Sequence, residues 1–244
     1  MDLSVVVPVK NEADNIDSLV DEICAVLDGL LQYEIIYVDD GSVDDTWDRL
    51  VALSRRLPQL KIIRLRQSYG QSTAIHTGVK EARAPLIATL DGDGQNDPAD
   101  IPRLLQVFEA PDRPPNMQLV TGHRRRRKDS WVKKFSSRIA NGVRIYLLKD
   151  QTPDTGCGLK VFPRETFLAM PFFDHMHRFL PALILRGGGE VCSVDVNHRP
   201  RKHGRTNYGV WDRLWVGLVD LFGVMWLQRR SRIPEIEEVR NLES

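Results

Sequence analysis

The chain has 244 residues, a formal net charge of +1, and a composition that is 42% hydrophobic and 27% charged. These values are ordinary for a folded domain, so they exclude a chain that is disordered throughout and give no general attraction for nucleic acid. The length fits one large domain with or without an attached terminal segment. The three cysteines, Cys24, Cys157 and Cys192, form no CxxC pair, which argues against a disulfide framework or a zinc site.

The sequence predicts where the protein acts. Its first residues carry neither a basic segment nor a long apolar run, so we expect no signal peptide. No stretch reaches the roughly 18 to 20 consecutive apolar residues of a membrane span. We therefore expect a cytoplasmic protein whose membrane contact is peripheral, on the inner face of the cytoplasmic membrane.

The first half of the chain alternates short apolar runs with helical patterns. Strands are predicted at 3–7, 34–38, 60–65 and 86–90, and helices at about 16–30, 44–57 and 71–82. Strands separated by helices of this length form right-handed βαβ units, so we expect a mainly parallel sheet. In such sheets, ligands bind beyond the carboxyl ends of the strands.

The second half is less regular. Its patterns predict helices at 135–148 and 212–228, and strands at 158–162 and 190–196. Residues from about 233 are expected to form a loosely held tail. We divide the chain into a catalytic domain at 1–210, an amphipathic helix at 211–232 that can associate with a membrane, and a flexible tail at 233–244.

Two acidic residues follow the fourth predicted strand, in the sequence DGDGQ at 91–95. Carboxylates one residue apart in a turn can direct oxygen atoms at one point, and hard cations such as Mg²⁺ and Mn²⁺ require oxygen ligands. The alternative is a polar turn whose acids only cap a helix beginning near Pro98. Taken alone, this stretch leaves both interpretations open.

A second acidic pair, Asp39 and Asp40, follows the second predicted strand and precedes Gly41. A carboxylate at this position can accept a hydrogen bond from a base or a ribose hydroxyl, but an ordinary turn with Asp44 as a helix cap is equally consistent. The polar loop after the first strand lacks the glycines of a dinucleotide-binding fingerprint, and the phosphate-binding loop G-x-x-x-x-G-K-[ST] is absent. A glycine cradle for a nucleotide is therefore disfavoured.

In combination, the stretches VVVPVKNE (5–12), VDDGSVD (38–44) and DGDGQNDP (91–98) resemble the family-2 glycosyltransferases. Further stretches resemble the polyprenyl-phosphate sugar synthases, the dolichol-phosphate mannosyltransferase-like branch: GQ (70–71), TGHR (121–124), DTGCGLK (154–160), HRFLPAL (177–183) and RKHGRTNYG (201–209). The resemblance covers roughly residues 3–228. It implies an α/β fold of the nucleotide-diphospho-sugar transferase (GT-A-like) type, with a mainly parallel mixed sheet flanked by helices and with C-terminal amphipathic helices.

The resemblance also implies roles for individual residues. The nucleotide-sugar-binding residues would be Pro8, Val9, Asn11, Glu12, Asp39, Asp40, Gly70, Gln71, Asp91 and Gly92. A Mg²⁺ or Mn²⁺ ion that bridges the donor diphosphate would be surrounded by Asp91, Asp93 and Gln95. The catalytic residues would be Asp93, Arg124 and Arg201, and the acceptor phosphate would contact Arg124, Arg201, Lys202 and Arg205. Where the family has Gly-x-Ser-Lys-Tyr, this chain has GRTNY at 204–208, so Arg205 or Lys202 would supply the missing cation.

The implied reaction moves a sugar from a UDP- or GDP-linked donor to an undecaprenyl or dolichyl phosphate, with inversion, for envelope glycan or lipid modification. A phosphomonoester is largely a dianion at pH 7, so it can attack without a dedicated base. The alternatives are a soluble or lipopolysaccharide acceptor, or a non-catalytic nucleotide-sugar-binding protein. The complete set of Asp91, Asp93 and Gln95 argues against the last. Neither the sugar nor the base follows from the motifs.

Apolar side chains recur at intervals of three and four residues in the last predicted helix, at Trp211, Leu214, Trp215, Leu218, Leu221, Phe222, Met225 and Trp226. Arginines follow at 229, 230 and 232. Such a helix can lie in a membrane interface, or it can pack on the protein's own core or on a second copy. We expect contact with a membrane surface, with a small membrane protein or a homo-oligomer as a further candidate partner. The basic run at 124–128 lacks an aromatic platform or a nucleic-acid motif, so no nucleic-acid partner is expected.

Overall fold

A computed structural model describes residues 1–124, 142–201 and 210–232, with the side chains of 210–216 excepted. Seven strands form one sheet: β1 (Leu3–Val9), β2 (Tyr33–Asp39), β3 (Leu60–Arg64), β4 (Leu86–Thr89), β5 (Met117–His123), β6 (Lys160–Pro163) and β7 (Glu190–Asp195). Their spatial order is β3-β2-β1-β4-β6-β5-β7. Only β6 runs antiparallel to its neighbours, so the predicted mainly parallel mixed sheet is confirmed.

Helices cover both faces of this sheet. They are α1 (Ala13–Leu27), α2 (Thr46–Ser54), α3 (Gln71–Glu81), α4 (Ile101–Glu109), α5 (142–148), α6 (Arg164–Leu168), α7 (Leu180–Arg186) and α8 (Val210–Arg229). Short 3₁₀ turns occupy Pro98–Asp100 and Met176–Arg178. Within the described residues, no helix combines the length and the apolar character needed to cross a membrane.

The alternation of side chains along β1 explains the two-sided core. Val5 and Val7 point into a cluster that α1, α2 and α4 complete, whereas Val6 points into the opposite cluster with residues of α3, α6 and α7. Every residue of β1 is buried, as expected for a parallel strand that is covered on both faces. Because β1 lies between β2 and β4, its carboxyl end opens directly onto the loops that follow those two strands.

Several predicted bounds differ from the structure. The prediction that the first helix reaches residue 30 is wrong. Helix α1 stops at Leu27, Gly29 takes a φ of +76°, and Leu30 is 57% exposed. The helix predicted at 44–57 begins only at Thr46, since the Asp44 carboxylate accepts a hydrogen bond from the Thr46 amide at 3.1 Å. Strand β5 and helices α6 and α7 were not predicted. Of the helix predicted at 135–148, only residues from 142 lie within the described part.

A buried carboxylate holds the amino ends of the strands together. Glu34, which is fully buried on β2, accepts hydrogen bonds from the Ser4 hydroxyl at 2.7 Å, the Arg83 amide at 2.7 Å and the Arg83 Nε at 3.0 Å. Burial by itself would raise the pKa of Glu34, but the hydrogen bonds from Arg83 and Ser4 outweigh it and lower that pKa. The cluster therefore ties β1, β2 and the segment before β4 at the edge opposite to the polar loops.

We predict that Glu34→Gln lowers the free energy of unfolding by about 2 kcal/mol at neutral pH, because buried hydrogen bonds to a charged group are lost. Urea denaturation measures this loss. Because the folded-state pKa is lowered, the stabilisation is present above the ordinary glutamate value of 4.5 and disappears as the pH falls through the folded value. Glu81→Gln, which removes an exposed partner of Lys61, is the control and should leave stability unchanged. Equal effects of the two substitutions would contradict the prediction.

Candidate active site

Four loops meet at the carboxyl edge of the sheet. Three of them follow β1, β2 and β4 and carry the acidic motifs, as the sequence predicts. The fourth is the segment at 198–201, which runs beside the loop after β4. The Arg199 amide donates to the Gln95 carbonyl at 3.0 Å, and Asn96 and His198 form an isolated antiparallel bridge. The structure therefore brings the late basic segment against the DGDGQ turn.

Asp91 lies at the inner side of this turn. Its carboxylate accepts a hydrogen bond from Gln71 Nε2 at 2.8 Å. Burial is the main cause that raises the pKa of Asp91, the neighbouring Asp93 carboxylate raises it further, and Lys160 opposes them. Two carboxylates are thus forced close together in a place where water screens their repulsion poorly.

Arg201 neutralises the outer carboxylates. Its Nη2 lies 2.8 Å from Asp93 Oδ2 and 3.7 Å from Glu12 Oε1. Burial raises the pKa of Glu12, while a hydrogen bond from Asn15 and the charge of Arg201 work against that increase. The predicted residues Glu12, Asp93 and Arg201 are therefore brought together, with the guanidinium between the two acids.

The Asp40 carboxylate organises the loop before α3. It accepts hydrogen bonds from the Ser68 hydroxyl at 2.7 Å and from the amides of Tyr69 at 2.6 Å and Gly70 at 3.0 Å. Gly70 has a φ of +89°, a conformation that glycine adopts without a steric penalty. Gln71 follows at the start of α3 and donates to Asp91. The loop that Asp40 organises therefore connects Asp40, after β2, to the DGDGQ turn after β4.

Asp39 and Asn11 join the first two loops. The fully buried Asp39 accepts from the Ser42 amide at 2.8 Å and lies 3.5 Å from Arg64 Nε. The Asn11 amide donates to the Ser42 hydroxyl at 2.9 Å, and the Asn11 side-chain oxygen accepts from the Val43 amide at 2.9 Å. These predicted residues therefore tie the loops after β1 and β2 to each other.

Gly92 allows the loops after β1 and β4 to approach closely. A Cβ at Gly92 would lie 2.4 Å from Val9 Cγ1 and 3.0 Å from the Pro8 carbonyl oxygen. Any larger residue would have to push the loop away from β1. The predicted residues Pro8, Val9 and Gly92 thus pack closely together and bring the loops after β1 and β4 into contact.

Arg124 is held by a carboxylate. Its Nε and Nη2 bind the two oxygens of Asp154 at 2.7 and 2.8 Å. Burial would lower the pKa of Arg124, but Asp154 outweighs it and raises that pKa, so the guanidinium stays charged. The sequence did not assign a role to Asp154, although it lies in the DTGCGLK stretch. Lys202 and Arg205, the remaining predicted phosphate contacts, lie outside the described residues.

A cavity of about 230 Å³ opens beside Asp91. Its polar lining includes Gln71, Lys160, His177 and Arg178. Lys160 is only 4% exposed and donates to the Cys157 carbonyl, and burial lowers its pKa. Sequence reasoning assigned no role to Lys160, His177 or Arg178. Their only signal was their position in the DTGCGLK and HRFLPAL stretches.

The residues present fit a divalent cation. In the described ranges, no group of three or more His, Cys, Asp or Glu side chains is close enough to hold a metal by itself. Mg²⁺ in phosphate-binding sites, however, is usually held by one or two carboxylates together with substrate phosphates and water. Asp91 and Asp93 are such a pair. Burial, and then repulsion from Asp93, raise the pKa of Asp91, and a nearby cation would relieve both. The backbone amide of Gln95 donates to Asp93 Oδ1 at 3.1 Å and closes the turn.

The chain is similar to known proteins over most of its length. A family model described as "Glycosyl transferase family 2" matches residues 4–169. The chain is 33% identical over 239 residues to a dodecaprenyl-phosphate galacturonate synthase of Rhizobium johnstonii, covering 96% of this chain and 69% of the relative. It is 34% identical over 211 residues to an undecaprenyl-phosphate 4-deoxy-4-formamido-L-arabinose transferase of Edwardsiella ictaluri, covering 85% and 63%. The chain thus spans about two-thirds of the length of these relatives.

Solved structures support the fold. Glucosyl-3-phosphoglycerate synthase from Mycobacterium tuberculosis, crystallised with Mg²⁺ and UDP, superposes with a TM-score of 0.69 at 20% identity, covering 96% of this chain and 80% of that one. A second structure of that enzyme, with Mn²⁺, UDP-glucose and phosphoglyceric acid, gives a TM-score of 0.68 at 19% identity, covering 93% and 79%. The predicted GT-A-like fold is confirmed.

We predict that Gly158→Ala damages the site, because a Cβ at Gly158 would lie 2.3 Å from the Asp91 carboxylate. Forcing a methyl group into this packed position should cost about 2 kcal/mol in the free energy of unfolding. Chemical denaturation gives the number. Gly223→Ala, on α8 with no atom within 4 Å of the added Cβ, is the matched control and should not destabilise the protein. A Gly158→Ala protein as stable as the wild type would show that Asp91 is not confined in this way.

Proposed function

This chain belongs to glycosyl transferase family 2, as its motifs predict, and we propose that it transfers a sugar from a nucleotide-sugar to a polyprenyl phosphate at a membrane surface. The observation that carries the proposal is the acidic edge formed by Glu12, Asp91 and Asp93 with Arg201 against it. The names of both curated relatives include a polyprenyl phosphate, which supports this acceptor class.

The donor nucleotide would lie on the loops after β1 and β2, with its diphosphate at Asp91 and Asp93. The sugar would then extend toward the cavity beside Asp91, where Gln71, Lys160 and Arg178 offer hydrogen-bond donors. Crystals of the structurally similar synthase contain UDP or UDP-glucose, which supports a uridine nucleotide as the first donor to test, with GDP-linked donors as the alternative.

Asp91, Asp93 and Gln95 would hold Mg²⁺ or Mn²⁺, and the Mg²⁺ and Mn²⁺ in the similar synthase structures support this choice of ions. When bound, such a cation supplies charge stabilisation to the departing diphosphate. The protein's own contribution begins with Arg201. Its planar guanidinium, now on Asp93 and Glu12, matches phosphate geometry and would pair with the diphosphate as negative charge develops there.

Arg124 would serve the acceptor side. Because Asp154 binds two of its nitrogens, the plane of the guanidinium is fixed before a substrate arrives, and preorganisation of this kind lowers the cost of recognition. The acceptor phosphate is largely a dianion at pH 7 and needs no base. His177 is not suited to act as a general base. Burial lowers its pKa, which makes it a weaker base, and its Nδ1 is hydrogen-bonded to the Ser72 hydroxyl at 2.7 Å. A single displacement at the anomeric carbon would invert its configuration.

The membrane contact would use α5 and α8. Leu221 and Val224 bury the inner face of α8 in a small cluster with α7, while Val219, Phe222 and Trp226 remain 65%, 56% and 58% exposed. On α5, Val143 and Tyr146 are 44% and 83% exposed. Helix α8 therefore packs on the protein through its inner face and exposes apolar side chains on its outer face. This pattern is typical of helices that lie in a membrane interface.

Charge supports the same surface. Arg229 lies in the last turn of α8, and Arg230 and Arg232 follow it. Basic residues beside an apolar face are attracted to anionic lipids. We therefore propose a peripheral position on the inner face of the cytoplasmic membrane. A small membrane protein or a second copy of the chain is the alternative occupant of this face.

The decisive experiment is a transfer assay with purified protein, undecaprenyl phosphate and a panel of radiolabelled nucleotide-sugars. We expect label to enter the lipid phase from one donor, to require Mg²⁺ or Mn²⁺, and to stop on addition of EDTA. Asp93→Asn should lower the rate at least about a hundredfold, because a group that stabilises the transition state is lost. Asp112→Asn, at an exposed position, is the control and should transfer at the wild-type rate.

The alternatives give distinct outcomes in the same assay. Label that moves only to a soluble or lipopolysaccharide acceptor would replace the polyprenyl phosphate in the proposal. Nucleotide binding without transfer to any acceptor would favour a non-catalytic binding protein. Transfer that resists both EDTA and Asp93→Asn would refute the role given to the acidic edge.

A further inference from the structure

The loop before α7 holds a residue in an uncommon conformation. His175 has a φ of +62°, in the left-handed region that residues other than glycine rarely adopt. Such a conformation costs free energy and persists only where surrounding contacts enforce it. His175 immediately precedes the turn Met176–Arg178, and two residues of that turn, His177 and Arg178, line the cavity beside Asp91.

A side chain of α8 contacts this residue. Nδ1 of His175 lies 3.2 Å from Asp220 Oδ2, and its Nε2 lies 3.6 Å from Asp174 Oδ2. The Asp220 side chain is 17% exposed and that of His175 is 29% exposed. This pair is therefore better shielded from water than an ordinary surface pair. Its partner residue Asp220 lies between the exposed Val219 and the buried Leu221 on α8.

The same loop contacts the start of α3, next to a residue that binds Asp91. The amide and Nδ1 of His177 lie 3.2 and 2.7 Å from the Ser72 hydroxyl on α3. The residue before Ser72 is Gln71, which donates to Asp91 at 2.8 Å. A displacement of the loop would therefore disturb both the cavity wall and the side chain that holds Asp91.

It also abuts the loop that Asp40 organises. The Asp174 Oδ1 atom lies 3.3 Å from the position that a Cβ on Gly70 would take, and the Gly70 amide donates to Asp40 at 3.0 Å. One short segment thus packs against Gly70, whose amide donates to Asp40, and against Ser72, which follows the residue that donates to Asp91. Asp220 is a charged residue of α8 that contacts this segment.

We propose that Asp220 and His175 are positioning residues for the donor site: by fixing the loop at 174–178 from α8, they hold Gln71, His177 and Arg178 in place for the nucleotide-sugar. The inference rests on the proposed function for the identity of the ligand. It adds that α8, whose outer face is the proposed membrane surface, is physically joined to the donor cavity.

The test compares Asp220→Ala with the wild type in binding of UDP and of GDP, each with Mn²⁺, by isothermal titration calorimetry. Loss of a supporting contact should weaken binding of the preferred nucleotide roughly tenfold. Hydrogen exchange at 174–178 and at the Tyr69 and Gly70 amides should become faster. In the transfer assay, the KM for the donor should rise more than kcat falls.

Three further variants keep the test sharp. Asp220→Glu retains a carboxylate to face His175 and should keep most of the affinity. Asp28→Ala removes an acceptor for the Tyr33 hydroxyl at 2.5 Å, at the opposite edge of the sheet, and should change neither binding nor exchange at 174–178. If Asp220→Ala does not fold, His175→Gly serves instead, since glycine tolerates the positive φ but lacks the ring, and the same loss is expected.

Unchanged nucleotide affinity in Asp220→Ala, or an equal loss in Asp28→Ala, would overturn the proposal. The binding measurement does not depend on the acceptor. A wild-type protein that binds nucleotide but transfers no sugar would therefore refute the proposed function and leave the positioning role to be judged by the affinities alone.

Discussion

The compensation of negative charge at the carboxyl edge of the sheet is the constraint on which the site depends. Asp91 and Asp93 are placed together where burial raises the pKa of Asp91, an arrangement that is costly unless cations lie close by. In this state, Arg201 supplies positive charge to Asp93 from outside, and the buried Lys160 supplies it to Asp91 from inside. The donor diphosphate and its cation would enter a site whose negative charge is only partly compensated, and binding would give Arg201 the diphosphate as a new partner in place of Asp93.

The sheet topology explains how this arrangement forms. Parallel strands β1, β2 and β4 end at one edge and deliver the three acidic motifs, whereas the antiparallel β6 brings the segment before it to the same edge from the other side. Only glycine fits at position 158, against the Asp91 carboxylate. Hydrogen bonds that Asp40 accepts from the Gly70 amide and that Gln71 donates to Asp91 then join the loops to one another. The acids therefore act as structural links as well as candidate ligands.

The sequence predicted the first half of the fold because strand, helix and turn alternate there with clear periods, and it predicted the meeting of Glu12, Asp91 and Asp93 because parallel strands share an edge. It missed β5, α6 and α7, whose short apolar runs carry no distinct period. The side chains that pair with these acids could not be predicted from local sequence patterns, because Arg201 and Asp93 are separated by 108 positions. The motif resemblance indicated Arg201, whereas it offered no role for Asp154, Lys160 or Asp220, since their importance comes from contacts that only the folded chain creates.

Anomalous scattering from Mn²⁺ in crystals grown with Mn²⁺ and a nucleoside diphosphate tests the central claim most directly. We expect a manganese peak at coordinating distance from Asp93, with the Arg201 guanidinium moved from Asp93 to the diphosphate. A manganese peak far from Asp91 and Asp93, or a bound nucleotide with Arg201 still paired to Asp93, would contradict this expectation.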